Sequence, residues 1–432
     1  MAIVRIHSKI RVFEKLPYPY KRGKTMVPIA RKVTSVPLWT IRKKTTNGKF
    51  SATESGFSVM VEALRAIKLL EKEYGILLPG EPGLLSSGHL ILEVESSIAS
   101  QNGIPQNPGA VTFDDLMRGI RLGDYPRFNS IIPPVFGYTG ADQGGLISKD
   151  EEVRQFTKDL LEEAILMNLQ LLNEGLGEGI TIVWPAYMSF LALDCPPGFM
   201  VSNDILMGSV LWERFLNGIC EVLSRVKIKT GIEAAIHLEW KVNDPGLLDI
   251  IPTLELAIRM CDEINSALGW KGAFINNEWA HLGLSGIDFA TGTCRTIEAG
   301  LFDRLVHVNG GTIHTERLEA WLIHPFHPAD WPGLVDPDWP VGFGSEKITN
   351  SQQRAINQLV QNASDTGQLI ILEHDVFHAP GFVREAVGYG IPRLIREPFD
   401  VLVPSVLAAN AMWEKALEAQ QLKFNLLQPM KP

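Results

Sequence analysis

The chain alternates between short runs rich in β-branched residues and longer stretches whose apolar residues recur at helical spacing. That alternation is the pattern of βα units with a parallel sheet. Eight strand-like runs stand out, at 36–41, 88–95, 129–136, 180–186, 234–240, 273–279, 305–310 and 368–377. Helical patterns lie at 55–74, 150–173, 211–228, 253–267, 293–299 and 351–363, and a last one at 405–421 follows strand eight. In the 55–74 stretch, Val59, Val61, Leu64, Ile67 and Leu70 share one helix face. Eight strands with intervening helices can close into a barrel. An open doubly wound sheet would announce itself with a Gly-rich turn after strand one. Here RKKTTNGKFSATESG follows, which is no phosphate loop. The expected fold is therefore an α/β (β/α)₈ TIM barrel over 35–400, with an N-terminal basic arm over 1–34 and a C-terminal helical extension over 401–432.

Charge is distributed unevenly. Residues 1–49 carry 13 Lys and Arg against the single acid Glu14, so the remaining 383 residues hold a net charge of −21. A basic arm on an acidic body suits an acidic protein surface, its own or a neighbour's, better than nucleic acid, because Val, Ile and Pro interleave the charges and no nucleic-acid motif is present. No apolar run reaches the ~18 residues of a membrane helix. The start, MAIVRIHSKIRVFEK, has no apolar core of a secretory signal. The four cysteines, Cys195, Cys220, Cys261 and Cys294, form no CxxC and read as reduced thiols of a cytoplasmic protein. The 312–349 loop carries HPFHPADWPGLVDPDWPVGFG, with His314, His324, His327, Trp331 and Trp339. A long loop at the catalytic face of a barrel is expected to cover a substrate or to contact another subunit.

The chemistry-bearing residues cluster at the ends of strands five to eight. HLEWK ends strand five, and alternation sets His237, Glu239 and Lys241 on one face. INNEWAH ends strand six, with Asn276 and Glu278 on one face and His281 three residues beyond. In LVHVNGG, His307 and Asn309 point inward together. In LIILEHDVFH, Glu373 and Asp375 share one face and His374 points the other way. Inward acids behind apolar runs are costly unless a positive charge sits among them. Glu239, Glu278, His281, His307 and an acid from Asp375 or Glu373 would hold a divalent cation. Oxygen-rich ligation with imidazole suits Mn²⁺ first, with Mg²⁺, Co²⁺ or Zn²⁺ as alternatives. Trp184, Trp240 and Trp279 offer apolar walls for a bound molecule, and Asn276 and Asn309 offer hydrogen bonds.

These four segments resemble the xylose isomerase-like superfamily, which includes xylose isomerase, L-rhamnose isomerase and the ketose 3-epimerases. Glu239-Trp240-Lys241 is similar to the strand-five E-P-K motif, with a metal-ligand Glu and a substrate-contacting Lys. Glu278 and His281 fit the strand-six E-x-x-H motif. His307 stands where the epimerases place a His and xylose isomerase an Asp. Asp375 fits the isomerase pattern of strand eight and Glu373 the epimerase pattern. The match spans about 180–378. Two departures stand out. The Asp-x-Asp that completes the second metal site is missing directly after strand seven, with His314 and Glu316 the nearby substitutes. The catalytic His/Asp pair of the N-terminal half has no counterpart, although His89, Glu93 and Glu95 lie near strand two.

The resemblance implies a divalent-metal-dependent aldose–ketose isomerase acting on an open-chain monosaccharide or sugar acid. A Lewis acid would stabilise the alkoxide or enediolate, Lys241 would polarise the carbonyl, and Glu239 or Glu373 would move the proton. Epimerisation through the same enediolate is the alternative. A metal-dependent lyase or hydrolase, or a ligand-binding barrel without catalysis, are the rivals. The resemblance also implies a homo-oligomer, a dimer or tetramer.

Overall fold

Eight parallel strands form the wall of a closed barrel in chain order: β1 (Arg31–Pro37), β2 (Leu85–Gly88), β3 (Arg127–Ile131), β4 (Gly177–Val183), β5 (Ile236–Leu238), β6 (Ala273–Glu278), β7 (Phe302–His307) and β8 (Leu369–Glu373). Strand β8 returns to pair with β1 in register from Arg31↔Leu369 to Ser35↔Glu373. The coordinates are a computed structural model of the 432-residue chain. It describes residues 30–41, 57, 59–96, 101, 109–133, 144–185, 208–241, 250–310, 340–342, 346–376 and 399–427. The helices are α1 (Leu38–Ile41), α2 (Met60–Glu73), α3 (Leu90–Glu93), α4 (Phe113–Leu122), α5 (Glu151–Asn173), α6 (Val210–Thr230), α7 (Leu254–Leu268), α8 (Trp279–Leu284), α9 (Phe289–Glu298), α10 (Glu346–Thr366) and α11 (Phe399–Leu427). Among the described residues no helix is long and apolar enough to cross a membrane.

The long helices start where a short polar side chain can satisfy an orphan amide. Thr112, Asp150, Ser209, Thr253 and Asp288 cap α4, α5, α6, α7 and α9, each accepting a backbone N–H of the first turn. Gly231 and Gly269 end α6 and α7 at φ 75°, a left-handed conformation that a side chain would strain. The apolar helix faces pack on the outer faces of the strands. Trp212, Trp240, Trp279 and Trp413 are the largest side chains buried there.

Two strands lie elsewhere than their patterns indicate. The first was expected at 36–41, but β1 starts at Arg31, and Leu38–Ile41 forms a helical turn. The second was expected at 88–95, but β2 is the serine-rich Leu85–Gly88, and the apolar run Leu90–Glu93 is helical. In both cases the apolar run marks the exit from the strand, because polar residues of the strand itself face the barrel interior. The 312–349 loop lies outside the described residues apart from 340–342 and 346–349, as do His314, Glu316, His324, His327, Trp331 and Trp339.

The N-terminal end of the barrel is closed by ion pairs. Glu178 of β4 meets Arg127 at 2.6 Å and Arg304 at 3.4 Å. His237 shares the interior face with Glu239 but sits one level lower, where its Nε2 lies 3.1 Å from Asp303 Oδ2 and its ring stacks on Phe274. Burial pushes the Asp303 carboxyl up, but His237 and then Arg304 outweigh it and hold it at about 2.

Candidate metal centre

At the C-terminal end the interior faces of β5 to β8 converge on one imidazole. His307 is 1% exposed. Its Nδ1 lies 2.6 Å from Glu278 Oε2 and 3.8 Å from both Glu239 Oε2 and Asp375 Oδ2. Its Nε2 lies 3.1 Å from Glu373 Oε1. Glu278, His307 and Asp375 each offer a ligand atom within 4.8 Å of the others. Glu239 borders this group.

One oxygen of each of these carboxylates is pinned by the protein. Asn309 Nδ2 donates to Glu278 Oε1 at 2.5 Å, and the Ala280 N–H donates to the same atom at 3.1 Å. Trp39 Nε1 donates to Asp375 Oδ1 at 2.6 Å. Asn276 Nδ2 donates to Glu239 Oε2 at 2.7 Å. Among the described residues Glu278 Oε2 is buried and has no hydrogen bond of good geometry, although the His307 imidazole stands 2.6 Å away. A buried carboxylate oxygen without a well-placed donor is costly, and a cation would satisfy it. In an octahedral shell with bonds of about 2.1 Å, neighbouring ligand atoms stand about 3 Å apart, comparable with the spacing here.

The charge balance points the same way. Four acids, Glu239, Glu278, Glu373 and Asp375, surround the imidazole. Burial, then the Glu278 charge, pushes the Asp375 carboxyl well above the usual range, against the opposing influence of His307 and the Trp39 bond. Burial also raises Glu239, against the charges of His281 and His307. For His307, burial favours the neutral ring, but Glu373 and Glu278 outweigh it and raise its pKa well above the ordinary value. Two carboxyls pushed toward protonation are what a site short of positive charge looks like.

The remaining expected residues fall into three places. Lys241 and Trp184 stand together, with Nζ 5.0 Å from the ring centroid. His281 is buried in α8, near enough to Glu239 for its charge to act there. Trp279 does not join the cluster. It is fully buried and stacks on Phe289 of α9, with ring centroids 5.5 Å apart, and Trp240 is buried in the core as well. Asn276 and Asn309 spend their amides on Glu239 and Glu278.

Four residues of the first three strands and their exits were not expected at the site: Ser35, Trp39, Ser87 and Asn129. Ser35, Ser87 and Asn129 all donate to Glu373. Trp39 holds Asp375, and its ring lies 5.6 Å from that of His89. His89 Nδ1 donates to Ile132 O at 3.1 Å, and burial lowers its pKa to about 4. Isolated Ser and Asn residues leave no charge pattern along a strand.

No family model matches the chain, and no curated protein sequence matches it. Solved structures do resemble it. A D-psicose 3-epimerase from Clostridium cellulolyticum H10 is 11% identical, with 89% of this chain and 99% of that one covered at a TM-score of 0.47. A 3-keto-D-glucoside 4-epimerase from E. coli is 14% identical, with 83% and 99% covered at 0.42. A xylose isomerase domain protein from Planctomyces limnophilus is 9% identical, with 90% and 99% covered at 0.46. The chain is thus similar, at low identity, to sugar epimerases and xylose isomerase domain proteins.

Proposed function

We propose that this chain is a divalent-metal-dependent isomerase or epimerase of a small polyhydroxy carbohydrate, with Mn²⁺ as the first candidate ion. The observation that carries the reading is the convergence of Glu278 Oε2, His307 and Asp375 Oδ2, with the other carboxylate oxygens pinned away. Glu278, His307 and Asp375 would hold the ion, with Glu239 beside them and His281 behind. The ion, when bound, supplies Lewis acidity to a carbonyl and hydroxyl pair.

The chain's own residues supply the rest. Among the described residues, Glu239 accepts a hydrogen bond only at Oε2, so Oε1 is available to take a proton from the carbon next to the carbonyl. Its raised pKa suits that exchange. Return of the proton to the former carbonyl carbon, while the other enediol hydroxyl gives up its proton to become the new carbonyl and the old carbonyl oxygen keeps the proton donated to it, completes an isomerisation. An epimerisation would instead take its proton from a second donor, such as solvent, on the opposite face of the same carbon. Lys241, aligned against Trp184, would donate to the carbonyl oxygen as negative charge develops.

The test is a panel of aldoses, ketoses and sugar acids incubated with Mn²⁺ in D₂O. Expected is turnover with deuterium at the exchanged carbon, lost in Glu278→Gln and in Glu239→Gln. Full activity in Glu278→Gln would remove the metal assignment, and full activity in Glu239→Gln would remove Glu239 as base.

A further inference from the structure

Glu373 is fully buried, and both its oxygens are occupied. Oε1 accepts from Ser87 Oγ at 2.8 Å and lies 3.1 Å from His307 Nε2. Oε2 accepts from Asn129 Nδ2 at 2.5 Å and faces Ser35 Oγ at 3.1 Å. The single Ser35 proton is shared with Asn129 Oδ1, 2.7 Å away. A carboxylate offers about four acceptor sites; partners from β2, β3 and β7 take three, and Ser35 of β1 stands over the fourth. Among the described residues both oxygens are thus turned to protein partners rather than toward a substrate or a cation. The neighbouring acid, Asp375, is arranged differently: Trp39 takes Oδ1, and Oδ2 turns toward His307 Nδ1.

We propose that Glu373 is a positioning residue, neither base nor ligand. Held by Ser35, Ser87 and Asn129, it anchors the Nε2 edge of His307 and so presents Nδ1 to the corner formed by Glu278 Oε2 and Asp375 Oδ2. A carboxylate behind an imidazole fixes which nitrogen keeps its proton and strengthens the opposite one as a ligand. The strand-eight acids thereby divide their work, Asp375 toward the ion and Glu373 toward the ring. This inference rests on the metal reading above.

The experiment uses the full chain labelled with ¹⁵N-histidine and loaded with Zn²⁺, His307 being assigned through His307→Gln. Co²⁺ titrations of the wild type, Glu373→Gln and Asn129→Ala accompany it. Expected is a metal shift on Nδ1 of His307 with Nε2 still protonated. Both variants should bind Co²⁺ about 10- to 100-fold more weakly, with the visible Co²⁺ spectrum altered in Glu373→Gln. If Glu373→Gln does not fold, Asn129→Ala, which keeps the carboxylate and loses one of its donors, carries the comparison. A metal shift on Nε2, or both variants within twofold of wild type with an unchanged spectrum, overturns this role while leaving the metal centre standing. A wild type that takes up neither Zn²⁺ nor Co²⁺ overturns both.

Discussion

Asn309 reaches across from the end of β7 to hold Glu278 Oε1 at 2.5 Å. Replacing it with Ala would leave every proposed ligand in place and free one of them to rotate. Mn²⁺ affinity in Asn309→Ala should fall about 10- to 100-fold, the usual cost of losing a group that orients a ligand. Calorimetry would measure this, and an affinity equal to wild type would show that Glu278 needs no such hold. His89 makes a prediction of another kind. Its folded pKa of about 4 lies below the ordinary histidine value of about 6.5, so the unfolded chain binds a proton that the folded chain refuses. Its contribution to stability is therefore complete above pH 6.5 and declines as pH falls toward 4. At pH 5 the loss is about 1–2 kcal/mol, the lower figure allowing for the partial solvent contact of the ring. Urea midpoints at pH 7 and pH 5 should differ less in His89→Gln than in wild type, and equal differences would contradict the assignment.

The elements differ in how much their sequences disclose. Strands β5 to β8 were legible because apolar runs end in regularly spaced charged residues, which is why Glu239, Glu278, His307 and Asp375 could be named together. Their convergence on one imidazole follows from the register, with Glu278 opposite His307 and His307 opposite Glu373. Strands β1 and β2 were hidden by the residues that make them useful. Ser35 and Ser87 point inward to Glu373, so the outlines of these strands look polar, and the apolar turns that follow imitate them. Trp279 misled for the opposite reason. It lies beside Glu278 in sequence, yet α8 turns it into the core. Helix α11 was recognised but underestimated in length, running Phe399–Leu427. It buries Leu402, Val406, Ala409 and Trp413, and its Asn410 donates to Ile76 O at 2.6 Å. Trp413→Ala should cost about 3–5 kcal/mol through the cavity it leaves. Thermal unfolding would show whether this helix belongs to the same cooperative unit as the barrel.

For the whole molecule, binding at the proposed site, which draws on the adjacent strands β6, β7 and β8, would couple to global stability. At a Mn²⁺ concentration 100 times its dissociation constant, the gain is about 2.7 kcal/mol. For a chain of this length that raises the unfolding midpoint by about 3 °C. Scanning calorimetry should find the shift in wild type and not in Glu278→Gln. A shift retained in that variant would mean that the ion binds elsewhere. The seam between β1 and β8 adds a constraint in time. Ser35 and Glu373 meet across 338 residues of sequence, and Trp39 reaches Asp375 across 336. During synthesis the first of these partners leaves the ribosome long before the second exists. A cation at the proposed site could therefore be captured in its finished coordination only after Asp375 has emerged, and a nascent chain stopped anywhere before it would be unable to retain the ion.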